Sequence, residues 1–200
     1  RPAWLLQKGF ARFYAFLSGW NAPYHPSPVD DNQSLVTPDR PGSHFTADIV
    51  DHAIAYLREG QQANTGRPFF LYLATGAVHA PHQAPPEYIE KYKATYTKGW
   101  DAIRAERFAR EKAMGLIPSD TVMPPRNAGD KAWNDLSADE QKVYARYMAV
   151  YAGFVEPPDA QIGRLIAYLK QSGQFDDTII FLLSDNGAAP EAGPEGSFTT

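Results

Sequence analysis

The stretch FFLYLATGAVHAPHQAPPEYIEKY, residues 69–92, passes from an apolar run through a loop into a polar helical pattern. Its apolar part, PFFLYLAT at residues 68–75, shows no alternation with polar residues, which is typical of a strand covered on both faces. The loop that follows carries His79 and His82 on either side of Pro81. A chain that leaves a core strand and at once presents two imidazoles indicates a candidate site at that point.

A second apolar run, TIIFLLS at residues 178–184, also lacks alternation. Residues 86–173 lie between the two runs and are predicted to form a helical insertion. Two buried strands with helices before and between them predict an α/β fold with a mainly parallel sheet flanked by helices. Ligands in open α/β sheets bind beyond the carboxyl ends of the strands. We therefore expect the loops after residues 75 and 184 to meet at one edge of the sheet.

Local signals predict where several helices begin and break. Thr46 is the expected N-cap of a first helix, before an apolar stripe at helical spacing. Ser137 and Glu140 form the S-x-x-E pattern of a capping box at the start of a last, long helix. Pro157 and Pro158 interrupt the apolar stripe of that helix, so we expect a kink or a short break there.

The composition allows a folded domain and argues against several classes of protein. Hydrophobic residues at 44% and aromatic residues at 13% can fill a core, and the net charge of −4 provides no basic surface for nucleic acid. Cysteine is absent, which excludes disulfides and thiolate chemistry, and no apolar run reaches the roughly 20 residues of a membrane span. We expect one partial domain over residues 1–200, with an irregular aromatic-rich segment at 1–45.

The residues after the second apolar run could ligate a metal ion. Asp185 and Asn186 provide a carboxylate and an amide oxygen, and Gly187 allows a sharp turn behind them. Such oxygen ligands suit a hard cation such as Ca²⁺ or Mg²⁺, and they suit zinc less because no histidine or cysteine accompanies them. The same three residues are also typical of an ordinary turn, so their spacing leaves both interpretations open.

The histidines divide into one candidate catalytic residue and four others. His79 follows the first apolar run, where an imidazole could donate to an anionic oxygen or protonate a leaving group. A loop histidine packed against its neighbours would fit this position equally well. His82 is expected to point elsewhere, and packing is the favoured interpretation. His25, His44 and His52 have no partners at informative spacing and are interpreted as surface or packing residues.

With these residues in view, the chain resembles the sulfatases of the alkaline-phosphatase superfamily, in particular bacterial arylsulfatases. The resemblance covers nearly the whole chain in order. The stretches that carry it are GFARFYAFLSG, PFFLYLATGAVHAPHQAPPEYIEKY, GWDAIRAERFAREKAMGLIP, YARYMAVYAGFVEPPDAQIGRLIAYLKQSG and DDTIIFLLSDNGAAPEAGPEGSF.

The resemblance implies a hydrolase of sulfate monoesters with an alkaline-phosphatase-like fold. In that family the nucleophile is a formylglycine, made from the cysteine of a C-x-P-S-R motif, and a Ca²⁺ ion holds the sulfate oxygens. Asp185 and Asn186 match the family's distal calcium ligands. His79 matches the histidine of the family's H-x-P loop, which contacts the sulfate near the leaving oxygen. His82 falls where the family varies and receives no role.

Several motifs of the family are not present in this sequence. The C-x-P-S-R motif, an acidic pair and a lysine/histidine sulfate-binding motif would precede residue 1, and a further lysine would follow residue 200. We therefore expect these residues to supply part of a calcium shell and no nucleophile, and the isolated chain to be inactive. Pro157 also departs from the family, where the helix is continuous and this position is commonly polar or histidine.

Two other functions remain open at this point. One is a phosphodiesterase or phosphonate hydrolase of the same superfamily; these usually carry Asp-His-Gly where this chain has Asp185, Asn186 and Gly187. The other is a binding fragment that kept the fold and performs no catalysis. The expected partner is a small-molecule sulfate ester, with no nucleic acid. The sequence leaves the oligomeric state open, and both a periplasmic and a cytoplasmic bacterial location are compatible with it.

Overall fold

The structure, a computed structural model, describes residues 5–16, 21–24, 26, 29–31, 34–36, 43–63, 66–184, 186–187 and 197. Helices dominate this part of the chain. The helices are α1 (Phe45–Gln62), α2 (Pro86–Tyr92), α3 (Gly99–Ala113) and α4 (Ala138–Gln171), with short 3₁₀ turns at Leu5–Lys8 and Trp133–Asp135; the strands are β1 (Tyr14–Ala15), β2 (Val29–Asp31) and β3 (Ser34–Val36).

The three short strands form one small antiparallel sheet in the order β1-β2-β3. Tyr14 pairs with Asp31, and Val29 pairs with Val36. No helix in the described part of the chain is long and apolar enough to cross a membrane.

The mainly parallel sheet predicted from the two apolar runs is not confirmed. Neither residues 68–75 nor residues 178–184 pair with a strand within the described part of the chain. An apolar run sets a preference for burial, whereas a strand also needs a neighbouring backbone to receive its hydrogen bonds. The second run is largely uncovered here, with Ile179 81% and Phe181 83% exposed.

The first apolar run is covered on one face rather than on both. Leu71 and Leu73 pack against a core cluster formed by α1 and α4, while Phe70 and Tyr72 remain 79% and 74% exposed. This alternation is the geometry of an extended segment lying on a helical layer. The run thus lies on the helices and places the loop with His79 at their edge.

Helix α4 packs against both α1 and α2 and is the central element of the described structure. Its C-terminal half contributes Leu165 and Leu169 to the cluster with α1, and its middle contributes Val150 and Phe154 to a cluster with α2. Phe154 is fully buried. The capping box predicted at its start is present, with the Ser137 side chain and Glu140 bonding reciprocally.

We expected a kink or a short break at Pro157 and Pro158, and the break does not occur, because α4 runs without interruption from Ala138 to Gln171. Each proline removes one backbone donor, which weakens a helix interior by about 3 kcal/mol in the absence of other contacts. Here the helix is packed on α2 before the prolines and on α1 after them. Tertiary packing on both sides therefore keeps the two halves continuous.

The N-cap of α1 is His44 rather than Thr46. Thr46 lies inside the first turn, and its backbone N–H donates to Nδ1 of His44 at 3.3 Å. The prediction placed the start of this helix two residues late because a threonine is a common cap and a histidine is not.

Candidate active site

His79 is exposed on the loop between the first apolar run and α2. Its backbone N–H donates to the carbonyl of Gly76 at 3.0 Å, which closes a turn. Its ring Nδ1 lies 2.8 Å from the carbonyl oxygen of Ala80. A carbonyl can only accept, so Nδ1 carries a proton, and Nε2 is the nitrogen through which the ring would act on a substrate.

The loop is held on the side that follows His79. Pro81 is fully buried. The ring of His82 makes edge contacts with Tyr151 at 5.6 Å and Phe154 at 6.3 Å, measured between ring centroids. His82 also donates its backbone N–H to the carbonyl of Ser197 at 2.5 Å. The exposed His79 is therefore carried by a loop whose following residues are anchored in the core.

His82 is in a poor environment for positive charge. Burial lowers its pKa, the nearby His79 lowers it further, and a hydrogen bond to the backbone of Val78 opposes the shift. Its position among aromatic rings agrees with the packing interpretation.

The structure brings His44 to the same loop, a connection that the sequence did not reveal. Nε2 of His44 lies 3.2 Å from the carbonyl oxygen of Gln83. The ring is buried, and burial lowers its pKa, although the hydrogen bond to Gln83 acts in the opposite direction. The only local signal was its place directly before a helical stripe, and no spacing pattern links it to a residue 39 positions away.

A cavity of about 560 Å³ opens beside this loop. Burial raises the pKa of Tyr24 in its wall, and the charge of Glu87 adds to this. The lining residues are Tyr24, His44, Ala84, Pro85, Pro86 and Glu87.

The predicted metal ligands lie at the end of the second apolar run. Asp185 is outside the described residues, whereas Asn186 is described and exposed. The hydroxyl of Ser184 donates to the backbone carbonyl of Asn186 at 2.7 Å. Among the described residues, no group of three or more histidine, aspartate or glutamate side chains could hold a metal ion.

The ligand chemistry at this turn nevertheless fits calcium. In the sequence, Asp185 and Asn186 offer one carboxylate and one amide oxygen, which are the ligands that a hard cation prefers. The exposed Asn186 can offer its amide oxygen from the turn. The described residues do not by themselves assemble the site, and further ligands would have to complete it.

A second group of polar side chains, which the sequence did not indicate, lies between β1 and α1. Tyr14 donates its hydroxyl to the buried carboxylate of Asp48. The ring of His52 stacks on Tyr14 with centroids 3.6 Å apart and planes 6° from parallel. Nδ1 of His52 lies 3.0 Å from the backbone carbonyl of Asp48. This group fastens the small sheet to α1, so His52 is a packing residue.

Comparison with known proteins identifies the family. The family model described as Sulfatase matches residues 3–198. The chain belongs to the sulfatase family. An uncharacterised sulfatase of Schizosaccharomyces pombe is 34% identical over 195 residues, covering 91% of this chain and 35% of that protein. An arylsulfatase of Klebsiella aerogenes is 34% identical over 198 residues, covering 93% of this chain and 41% of that protein.

These matches confirm the predicted resemblance to sulfatases. The sulfatase chain spans 35% and 41% of the length of these two curated relatives. The crystal structure of Ps i-CgsB in complex with k-i-k-neocarrahexaose superposes with a TM-score of 0.53 at 20% identity, covering 88% of this chain and 32% of that one. At that identity the likeness shows a shared fold and carries no information about substrate.

Proposed function

We propose that the protein containing this chain hydrolyses sulfate monoesters, and that His79 acts on the substrate while Asp185 and Asn186 ligate calcium. The observation that carries the proposal is the match of residues 3–198 to the sulfatase family. The identity of 34% to an arylsulfatase over nearly the whole chain supports the same reaction class.

The proposed role of His79 is to donate a proton or a hydrogen bond at the leaving oxygen. In sulfate ester cleavage negative charge develops on that bridging oxygen, where a donor stabilises the transition state. Because Nδ1 of His79 donates to the carbonyl of Ala80, the proton given to the substrate would come from Nε2. Both ring nitrogens must then carry a proton before the reaction. The exposure of His79 on an anchored loop is compatible with this role.

Asp185 and Asn186 are proposed to hold Ca²⁺ through one carboxylate and one amide oxygen. A bound calcium ion would supply positive charge to the sulfate oxygens, and a formylglycine outside these residues would supply the nucleophile. The fit of the ligand chemistry at the turn after residue 184 supports this assignment.

The test is an activity comparison on the complete protein. Nitrophenyl sulfate, nitrophenyl phosphate and bis-nitrophenyl phosphate would be offered under identical conditions with calcium present. We expect hydrolysis of the sulfate monoester at a kcat/KM at least about a hundred-fold above either phosphate, a difference of about 2.7 kcal/mol in transition-state binding. A protein active on the diester alone, or on none of the three, would contradict the proposal.

One observation favours a second candidate. The multifunctional alkaline phosphatase superfamily protein PehA of Trinickia caryophylli is 31% identical over 142 residues, covering 70% of this chain and 26% of that protein. This match supports membership of the wider superfamily, in which phosphodiester or phosphonate hydrolysis is the alternative reaction. Asn186 favours sulfate esters over it, because an amide oxygen suits calcium and a histidine would suit a transition metal.

A further inference from the structure

His44 joins the N-terminus of α1 to the end of the loop that carries His79. Its Nδ1 accepts the backbone N–H of Thr46 at 3.3 Å, and its Nε2 lies 3.2 Å from the carbonyl oxygen of Gln83. One ring therefore makes a helix cap and a long-range contact between residues 39 positions apart.

The two contacts together determine the protonation state of the ring. A backbone N–H can only donate, so Nδ1 of His44 must be unprotonated, and a carbonyl can only accept, so Nε2 must carry the proton. His44 is therefore neutral in a single tautomer. Its exposure of only 8% agrees with this, because a buried imidazolium would be costly there.

The ring also supports the loop through packing. It makes an edge contact with Phe154 of α4 at a centroid distance of 5.7 Å, and a second one with Tyr24 at 5.3 Å. Phe154 in turn contacts the ring of His82 in the loop. The part of the loop between His79 and α2 is thus held by the buried Pro81, by the aromatic contact of His82 and by the bond from His44.

We propose that His44 is a positioning residue for His79. It acts through the hydrogen bond from its Nε2–H to the carbonyl of Gln83, which fixes the position of the loop relative to α1. The proposal rests on the proposed function in one respect, that His79 acts on a sulfate ester. The bond itself is a property of the fold, so it can be tested apart from activity.

Two substitutions separate the two contacts of the ring. In His44→Asn the side-chain oxygen occupies the place of Nδ1 and keeps the cap on Thr46, but the side chain is too short to reach Gln83. In His44→Gln the amide nitrogen occupies the place of Nε2 and keeps the donor to Gln83, at the expense of the cap. Both variants lose the aromatic ring, His44→Asn also loses one methylene group more than His44→Gln, and the two differ in which hydrogen bond is retained.

In the complete protein with nitrophenyl sulfate, we expect His44→Asn to lower kcat by about ten-fold or more, with a smaller change in KM, because a displaced catalytic group slows the chemical step. His44→Gln should stay within about three-fold of the wild-type kcat, even though it loses the cap on Thr46. Equal loss of kcat in both variants, or an unaffected His44→Asn, would overturn the proposal.

A second readout does not depend on catalysis. The backbone amide of His79, which bonds to Gly76, should exchange its hydrogen faster in His44→Asn than in His44→Gln. In the unsubstituted protein, ¹⁵N spectra should show the Nε2–H tautomer of His44, and an Nδ1–H tautomer would overturn the proposal without any variant. If the protein cleaved no sulfate ester, the proposed function would fail while these two measurements still decided the role of His44.

Discussion

Gly153 of α4 lies directly against the backbone of Ile89 in α2. A methyl group placed on Gly153 would come within 2.9 Å of the Ile89 amide nitrogen and 3.0 Å of its Cα. Two ion pairs flank this approach, Lys91 with Glu156 at 2.5 Å and Glu90 with Arg146 at 2.7 Å. The absence of a side chain at Gly153 thus sets how closely α2, and the loop preceding it, can pack on α4.

Replacement of Gly153 by alanine should destabilise the protein by about 1–3 kcal/mol, because the obstructing atoms are backbone and cannot rotate away. Gly163→Ala is the matched control, since it lies in the same helix with nothing within 4 Å of the added Cβ. That control should stabilise by roughly 0.5–1 kcal/mol. Urea unfolding of both variants measures the difference, and equal effects would contradict the close approach of α2.

Tyr14→Phe should destabilise the protein by about 1–3 kcal/mol, because the buried carboxylate of Asp48 would lose the hydroxyl that donates to it. The measurement is a double-mutant cycle with Asp48→Asn, analysed by denaturant unfolding. In a protein that already carries Asp48→Asn, Tyr14→Phe should lower the free energy of unfolding by less. A buried amide that loses the Tyr14 hydroxyl is destabilised less than a buried carboxylate that loses it. A coupling energy near zero would mean that the hydroxyl does not stabilise Asp48.

His79→Ala should reduce the kcat of the complete protein on nitrophenyl sulfate by about 10²–10⁴-fold, the usual contribution of a positioned proton donor. Steady-state kinetics at saturating substrate measure this. His82→Ala is the control from the same loop, and we expect a smaller loss there because His82 packs on Tyr151 and Phe154. Losses in the reverse order would transfer the catalytic role to His82.

Stability should fall as the solution is acidified. Burial lowers the pKa of both His44 and His82 in the folded protein, whereas in the unfolded chain each has a pKa of about 6.5. The folded state therefore binds protons at these histidines less readily than the unfolded chain does. The stability that the two neutral histidines contribute is fully present above about pH 6.5 and is lost as the pH falls below that value. Urea unfolding between pH 7.5 and 5 tests this expectation. His44→Gln should show a shallower loss, and an unchanged pH dependence would argue against a neutral His44.

Calcium binding should depend on the turn after the second apolar run. Asp185→Ala should weaken calcium affinity of the complete protein by at least about ten-fold, and Asn186→Ala by less, because the carboxylate supplies charge as well as an oxygen. Isothermal titration with calcium alone measures this without any substrate. The control is Asp177→Ala, an exposed carboxylate on the other side of the same apolar run, which should bind as the wild type does. If all three variants bound calcium with the affinity of the wild type, the turn would not be part of the metal site.

Local features of the sequence predicted the helices well. The capping box of Ser137 and Glu140 involves residues three positions apart, so its outcome depends on neighbours along the chain alone. The polar helical pattern at the end of residues 69–92 corresponds to α2, which begins at Pro86. The continuity of α4 across Pro157 and Pro158 was not predictable in this way, because it depends on packing against two other helices.

In the candidate site, too, local features were predictable from the sequence and long-range contacts were not. The sequence predicted a histidine on the loop after the first apolar run and left a catalytic role and simple packing equally open. The structure has the side chain of His79 exposed on that loop, and its role stays a prediction. The contact of His44 with Gln83 joins residues far apart in sequence, so neither residue type nor spacing could reveal it. The proposed role of Asn186 remains a prediction, since the described residues do not complete a metal site.

By itself the sequence determined the family of this protein, the presence of its main helices and the residue types available for chemistry, because these follow from side-chain identity and from interactions within a few positions. Tertiary structure alone decided that the first apolar run lies on α1 and α4, which neighbours hold the loop of His79, and that α4 stays continuous. These depend on contacts between distant residues, where shape and hydrogen-bond geometry choose among many arrangements that an apolar pattern permits equally.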